Sequence, residues 1–239
     1  MPRSVVLLSG GLDSAYNLKF ASDRTVVASA VTFDYGQRAS AAEIRASAAM
    51  CGRLAAPHRV IALPWLAHVC RSALTDGGKP LPRLGSAQLD DAQGAAAEAA
   101  DKVWVPNRNG TFLNIAAAIA EGVGAATIHV GFNAEEAATF PDNTGEFVEA
   151  ANAALAYSTR GKVRITCATL AMRKEAIVRE GLRIGAPLDL AWPCYEGGER
   201  LCGSCESCMR FLRAVDRAGA KAWFVERHAR MPRGTRRDG

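Results

Sequence analysis

Apolar residues recur along this chain in two rhythms. Short, nearly uninterrupted runs rich in β-branched residues occupy Val5–Leu8, Val26–Phe33, Arg59–Leu63, Thr127–Gly131 and Val163–Thr166. Runs of that length, closed by glycine or polar positions, predict buried strands. Between them, apolar positions return at helical intervals over Ser14–Ala21, Ser40–Leu54, Gly110–Gly122, Gly145–Tyr157 and Arg173–Gly181. Strand and helix in alternation predict an α/β fold, a Rossmann-like parallel sheet of about five strands with helices on both faces. Ligands of such sheets bind beyond the carboxyl ends of the strands.

One stretch breaks the rhythm. Asp76–Asp101 is rich in Gly, Pro, Asp and Ala and has no clear period. It is too long for a connector, so the expectation is a mobile lid or a disordered insert. The 239 residues suit one generous domain, divided here into an α/β part at 1–187 and a C-terminal segment at 188–239. With 49% hydrophobic and 22% charged residues, the composition excludes bulk disorder. No apolar run reaches the ~18 residues that a membrane span needs. The N-terminus enters a strand and then a glycine motif within its first ten residues, which does not fit a secretory leader, so a cytoplasmic protein is expected.

The net charge of +5 is a property of the tail. From Arg210 onward nine Lys/Arg face three Asp/Glu, a net of +6, which leaves −1 for residues 1–209. Arg227, Arg230, Arg233, Arg236 and Arg237 carry most of it, with no aromatic among the last ten residues. That pattern favours a solvated end over a nucleic-acid arm.

Two motifs carry chemistry. After the first strand comes Ser9-Gly10-Gly11-Leu12-Asp13-Ser14 and then a helix. Such a junction aims backbone N–H groups and the positive end of a helix at an anion. Glycines permit close approach, and Ser9 and Ser14 add hydroxyl donors. Asp13 would repel phosphate, so its roles are helix capping or holding Mg²⁺ between phosphate oxygens. The loop is neither a Walker A motif nor G-x-G-x-x-G. The second motif is Cys194-x7-Cys202-x2-Cys205-x2-Cys208, four of the seven cysteines. Four thiolates complete a closed Zn²⁺ site, and Gly197, Gly198 and Gly203 let the chain turn around it. A [4Fe–4S] cluster uses the same complement and is the rival. Cys51, Cys70 and Cys167 are scattered and read as buried small hydrophobes.

The glycine loop resembles the PP-loop of the ATP pyrophosphatases, which cleave ATP between the α- and β-phosphates. Together with the cysteine spacing, it resembles the 7-cyano-7-deazaguanine synthase branch of that family. The likeness continues through Val31–Arg38, Val105–Asn109, Gly131–Ala134, Phe140–Asp142 with Glu146-Phe147, and Lys174-Glu175, in the family's order. It implies two adenylations: of the carboxylate of 7-carboxy-7-deazaguanine, with ammonia displacing AMP, and then of the amide, which loses AMP to give the nitrile. It implies ATP and Mg²⁺ as well as Zn²⁺, a homodimer, and no direct nucleic-acid contact. Leu8, Ser9, Gly10, Gly11, Leu12, Asp13 and Ser14 would hold the nucleotide. Asp13, Arg38, Arg108 and Lys174 would serve the chemistry, and Asn107, Asn133 and Asp142 the deazaguanine. Two other readings stay open: an enzyme that stops at the amide or joins the carboxylate to a protein amine, and a non-catalytic zinc-ribbon module that binds tRNA.

Overall fold

The computed structural model describes residues 1–229, with side chains through Glu226; the basic tail from Arg227 lies outside the described side chains. Strands β1 (Arg3–Leu7), β2 (Val26–Asp34), β3 (His58–Ala62), β4 (Thr127–His129) and β5 (Arg164–Thr166) form one sheet in the order β3-β2-β1-β4-β5. Every pairing in it is parallel. The helices are α1 (Leu12–Ser22), α2 (Ser40–Leu54), α3 (Trp65–Val69), α4 (Ala95–Val103), α5 (Arg108–Gly122), α6 (Gly145–Ser158), α7 (Lys174–Arg183), α8 (Glu206–Arg217) and α9 (Lys221–Ala229). All five expected strands and all five expected helices are present, with ends displaced by a few residues.

Central β1 explains the continuous apolar run, because neighbouring side chains enter opposite cores. Val5 packs with Val31, Ile128, Leu113 and Ala117 on the face covered by α5 and α6. Val6 packs with Ala15, Leu18, Met50 and Ile177 on the face covered by α1, α2 and α7. Strand order reverses at β1, between β2 and β4, and this switch point opens the crevice in which such folds bind ligands.

The aperiodic stretch is ordered differently from expectation. It contains a 3₁₀ turn at Gln88–Asp90 and leads into α4, which buries Ala96, Ala99, Ala100 and Val103. Leu81 and Leu89 are buried as well. The periodicity was hidden because α4 uses alanine, which reads as neutral filler, for its buried face.

The division at residue 187 matches no break in the core. Phe211, Ala214 and Val215 of α8 belong to the same apolar cluster as Leu8, Ala15 and Ile177. Helix α8 is therefore a wall of the α/β unit, and it brings the cysteine segment to the mouth of the crevice.

Candidate active site

The glycine loop closes on itself before α1 begins. Gly10 has φ +76°, and a Cβ there would stand 2.7 Å from the Glu43 carbonyl oxygen of α2. Only glycine meets both conditions without strain. Ser14 Oγ donates to the Gly11 carbonyl at 3.0 Å, and Ser9 Oγ donates to Ser14 Oγ at 3.3 Å. From the adjacent β4 end, Gly131 presses so close that a Cβ would lie 2.9 Å from Ser14 N. The end of β4 thus packs its glycine directly against the backbone of Asp13 and Ser14.

Asp13 stands in the first turn of α1 and is the hub of a buried charge cluster. Its Oδ2 accepts from Lys174 Nζ at 2.8 Å and from Asn133 Nδ2 at 3.2 Å. Lys174 Nζ also lies 2.7 Å from Glu136 Oε1. Burial, opposed by the Lys174 ammonium and aided by Glu136, pushes the Asp13 carboxyl up to about 6. Burial alone would raise Glu136 too, but Lys174 reverses this and leaves it below its ordinary value. Asp13 Oδ1 is buried and has no hydrogen-bond partner. A buried carboxylate oxygen without a donor is costly, and a cation is the partner that suits it.

The cavity brings together Leu8, Ser9, Gly11, Leu12, Asp13, Ser14, Arg108, Asp142 and Lys174 of the expected residues, with Gly10 just behind. Lys174, which as a bare sequence position could have been a solvated surface lysine, is only 8% exposed. Arg108 reaches the Tyr35 hydroxyl at 3.4 Å and has no carboxylate within ion-pair distance among the described residues. Asp142 accepts from Asn143 Nδ2 at 3.1 Å, and burial raises its pKa despite nearby Arg108.

Three expected residues are elsewhere. Arg38 does not line the cavity: its guanidinium donates to the Asp76 and Lys79 carbonyls and faces Glu196 at 3.8 Å, which fastens two loops together. Asn107 is exposed at the start of α5 with φ +50°, and its neighbour Asn109 lines the cavity instead. Asn133 is fully buried; besides donating to Asp13, it accepts the Glu135 and Glu136 N–H groups at 3.1 and 3.0 Å. Its Oδ1 and one Nδ2 hydrogen are engaged within the protein, so it shapes the site through Asp13 and the Glu135–Glu136 turn.

Sequence reading missed Glu136 and the wall formed by α8. Glu206, Ser207, Arg210 and Phe211 line the cavity. Glu206 accepts from Tyr195 OH at 3.1 Å and is bonded to Arg210 Nε. The signal was the i, i+4 spacing of Glu206 and Arg210 on either side of Cys208, which passes for a surface ion pair until the fold buries it.

The four expected cysteines converge. Their Sγ atoms all lie within 4.8 Å of one another, with Cys202 and Cys208 3.9 Å apart. A tetrahedral ion with ~2.3 Å bonds to sulfur sets its ligands ~3.8 Å apart. A four-iron cluster, with each thiolate on its own iron, would hold the sulfurs much farther apart. The N–H groups of Ser204 and Cys205 point at Cys202 Sγ at 3.5 and 3.2 Å, the support a bound thiolate takes from its surroundings.

Comparison with known proteins agrees. A 7-cyano-7-deazaguanine synthase of Pelotomaculum thermopropionicum is 49% identical over 91% of this chain and 98% of its own. One of Desulforamulus reducens is 50% identical over 90% and 94%. An archaeal one, of Methanosarcina mazei, is 40% identical over 94% and 98%. Residues 3–219 match the family described as queuosine biosynthesis protein QueC, a span that takes in the glycine loop, the buried Asp13–Lys174–Glu136 cluster and all four cysteines, and this chain belongs to that family.

Proposed function

We propose that this enzyme converts 7-carboxy-7-deazaguanine and ammonia to 7-cyano-7-deazaguanine with two molecules of ATP. The observation that carries the reading is the buried Asp13–Lys174–Glu136 cluster against a glycine loop that ends in a helix N-terminus. The shared name of the relatives supplies the substrate.

The chain's own groups suit adenylation. Loop N–H groups and the α1 dipole favour a triphosphate, and the Ser9 and Ser14 hydroxyls can donate to it. The substrate carboxylate oxygen attacks the α-phosphorus and pyrophosphate leaves; Lys174 is placed to offset that departing charge. Arg108, a cavity cation without a carboxylate partner, suits the substrate carboxylate or a phosphate. Asp142 is left as the acceptor for guanine-like N–H donors. Ammonia then attacks the acyl carbon and AMP leaves with the oxygen. In the second round the amide oxygen is adenylated, and loss of AMP and of the remaining N–H proton leaves the nitrile. No side chain need form a covalent bond; the rate arises from positioning and fixed charge.

Asp13 Oδ1 would hold Mg²⁺, which when bound neutralises phosphate charge. The four cysteines would hold one Zn²⁺ as a closed structural site. A homodimer is part of the proposal, since β3 is an edge strand and Val60 on it is exposed, as are nearby Trp65 and Val69. We place the enzyme in the cytoplasm, where ATP is available and thiolates stay reduced; no helix among the described residues is long and apolar enough to cross a membrane. Mass spectrometry of the product tests the reading. Nitrile with two AMP per molecule supports it, while amide as the end product, or a mass added to protein, refutes it.

A further inference from the structure

Glu135 immediately precedes cavity-lining Glu136, yet it does not line the cavity itself. Its side chain is 4% exposed, and its two oxygens face two different helices. Oε1 accepts the backbone N–H of Lys174, the first residue of α7, at 2.9 Å. Oε2 accepts from Arg213 Nη2 at 2.9 Å, with Arg210 Nη1 at 3.7 Å. Both arginines stand on α8, the helix that carries the last cysteine of the metal site. Arg173 approaches Oε1 at 3.9 Å from the solvent side.

The first N–H groups of a helix have no partner within it, and Arg173 at the N-cap of α7 supplies no side-chain cap. Glu135 supplies one from another segment. What it caps is the start of the helix from which Lys174 reaches 2.8 Å to Asp13 and 2.7 Å to Glu136. A lysine side chain has four rotatable methylene joints, so where its ammonium arrives depends on where its backbone is anchored. That anchor is a buried carboxylate whose other oxygen is fixed by α8. We propose that Glu135 is a positioning residue that ties the placement of Lys174 to the helix of the four-cysteine module, so that the module acts on adenylation through a buried ion pair. The proposal rests on the role given to Lys174 above.

Steady-state AMP release from ATP and 7-carboxy-7-deazaguanine by the metal-loaded full chain gives the first test. Glu135→Gln should lower kcat by about 100-fold, the scale of a misplacement of about 1 Å. KM for ATP should move less than about threefold, since nothing that touches the nucleotide is lost. Arg213→Met, which removes the closer of the two α8 partners of Glu135, should fall the same way, and Arg213→Lys should recover part of the loss; this pair carries the test should Glu135→Gln not fold. In a Lys174→Arg background, Glu135→Gln should add less than about threefold, because residues acting through one another are not additive. A full additional loss there, an unchanged kcat, or a rise in KM alone would overturn the proposal.

A second readout needs no substrate. The paired ammonium of Lys174 should give a protected ¹H–¹⁵N lysine signal, assigned by its loss in Lys174→Arg. Glu135→Gln should abolish that protection while the backbone spectrum stays folded; undiminished protection refutes the positioning role. Failure of the wild-type enzyme to release AMP from this acid would instead defeat the functional reading and leave the spectroscopic result to decide the role of Glu135.

Discussion

Replacing Lys174 by Met keeps the stem and removes the charge between Asp13 and Glu136. At an effective dielectric of about 20, each contact at 2.7–2.8 Å corresponds to about 6 kcal/mol of attraction, most of it offset by desolvation. Removing one partner from a buried ion pair costs about 3–5 kcal/mol, because the remaining charge is left uncompensated. For a chain of this size that is a fall in Tm of about 10 °C. The pH dependence is the discriminating part. Burial already pushes Asp13 up to about 6; loss of Lys174 would raise it further and would remove the charge that holds Glu136 below its ordinary value. An acid raised above its unfolded value destabilises the fold while ionised, and the penalty disappears as pH falls through the folded value. The deficit of Lys174→Met should therefore be full at pH 8 and shrink by pH 5, as thermal melts at both values would show. AMP release should be lost at every pH. A deficit of equal size at pH 5 and 8, or none, would mean that Lys174 is not the counter-ion of these carboxylates.

Gly131→Ala should misplace the glycine loop, since its Cβ would meet backbone at 2.9–3.0 Å that cannot rotate away; overpacking of about 1–3 kcal/mol is expected, with turnover falling more than stability in parallel melts and assays. Cys205→Ser should reduce bound zinc from one per chain and lower Tm along with activity, checked by elemental analysis; stoichiometric iron or full activity without metal would contradict a structural zinc site. Arg108→Ala should weaken substrate or nucleotide binding by about 1.5–3 kcal/mol, seen as a raised KM in the same assay, and leave the melting curve nearly unchanged.

The architecture was legible because β1 and β2 are buried on both faces and read as unbroken apolar runs, and because glycine marks the loop after β1. The cysteine site was legible for a related reason: metal ligands from one segment must be spaced closely. What stayed hidden depends on contacts between distant segments. Arg38 and Asn133 have the residue types a ligand site needs, but the fold turns them to the protein itself, Arg38 to the Asp76 and Lys79 carbonyls and Asn133 to Asp13. Glu135 and Glu136 are adjacent in sequence, and no local pattern indicates that one lines the cavity while the other caps α7 and pairs with α8. Alanine hid α4 because a buried alanine face has little contrast with a solvent face.

The buried charges also account for the way this site must meet its nucleotide. Asp13, Glu135, Glu136 and Glu206 alternate with Lys174, Arg210 and Arg213, and Arg173 approaches Glu135 from the solvent side, four carboxylates against four cations. Such a cluster is close to neutral, so Arg108 is the cation it leaves over for a triphosphate among the described lining residues. Beyond Arg108, the attraction on the proposed function would come from groups without formal charge, namely the loop N–H donors and the α1 dipole, and from a cation that enters with the phosphates. Asp13 Oδ1, buried and without a donor, would on that reading be the oxygen that takes the cation. Lys174, held between two carboxylates, would on the proposed function meet phosphate charge only as it develops, its ammonium kept oriented and dry until then. A site built this way favours the charge that appears during the reaction over the charge that arrives with the substrate, which is the difference that accelerates a chemical step.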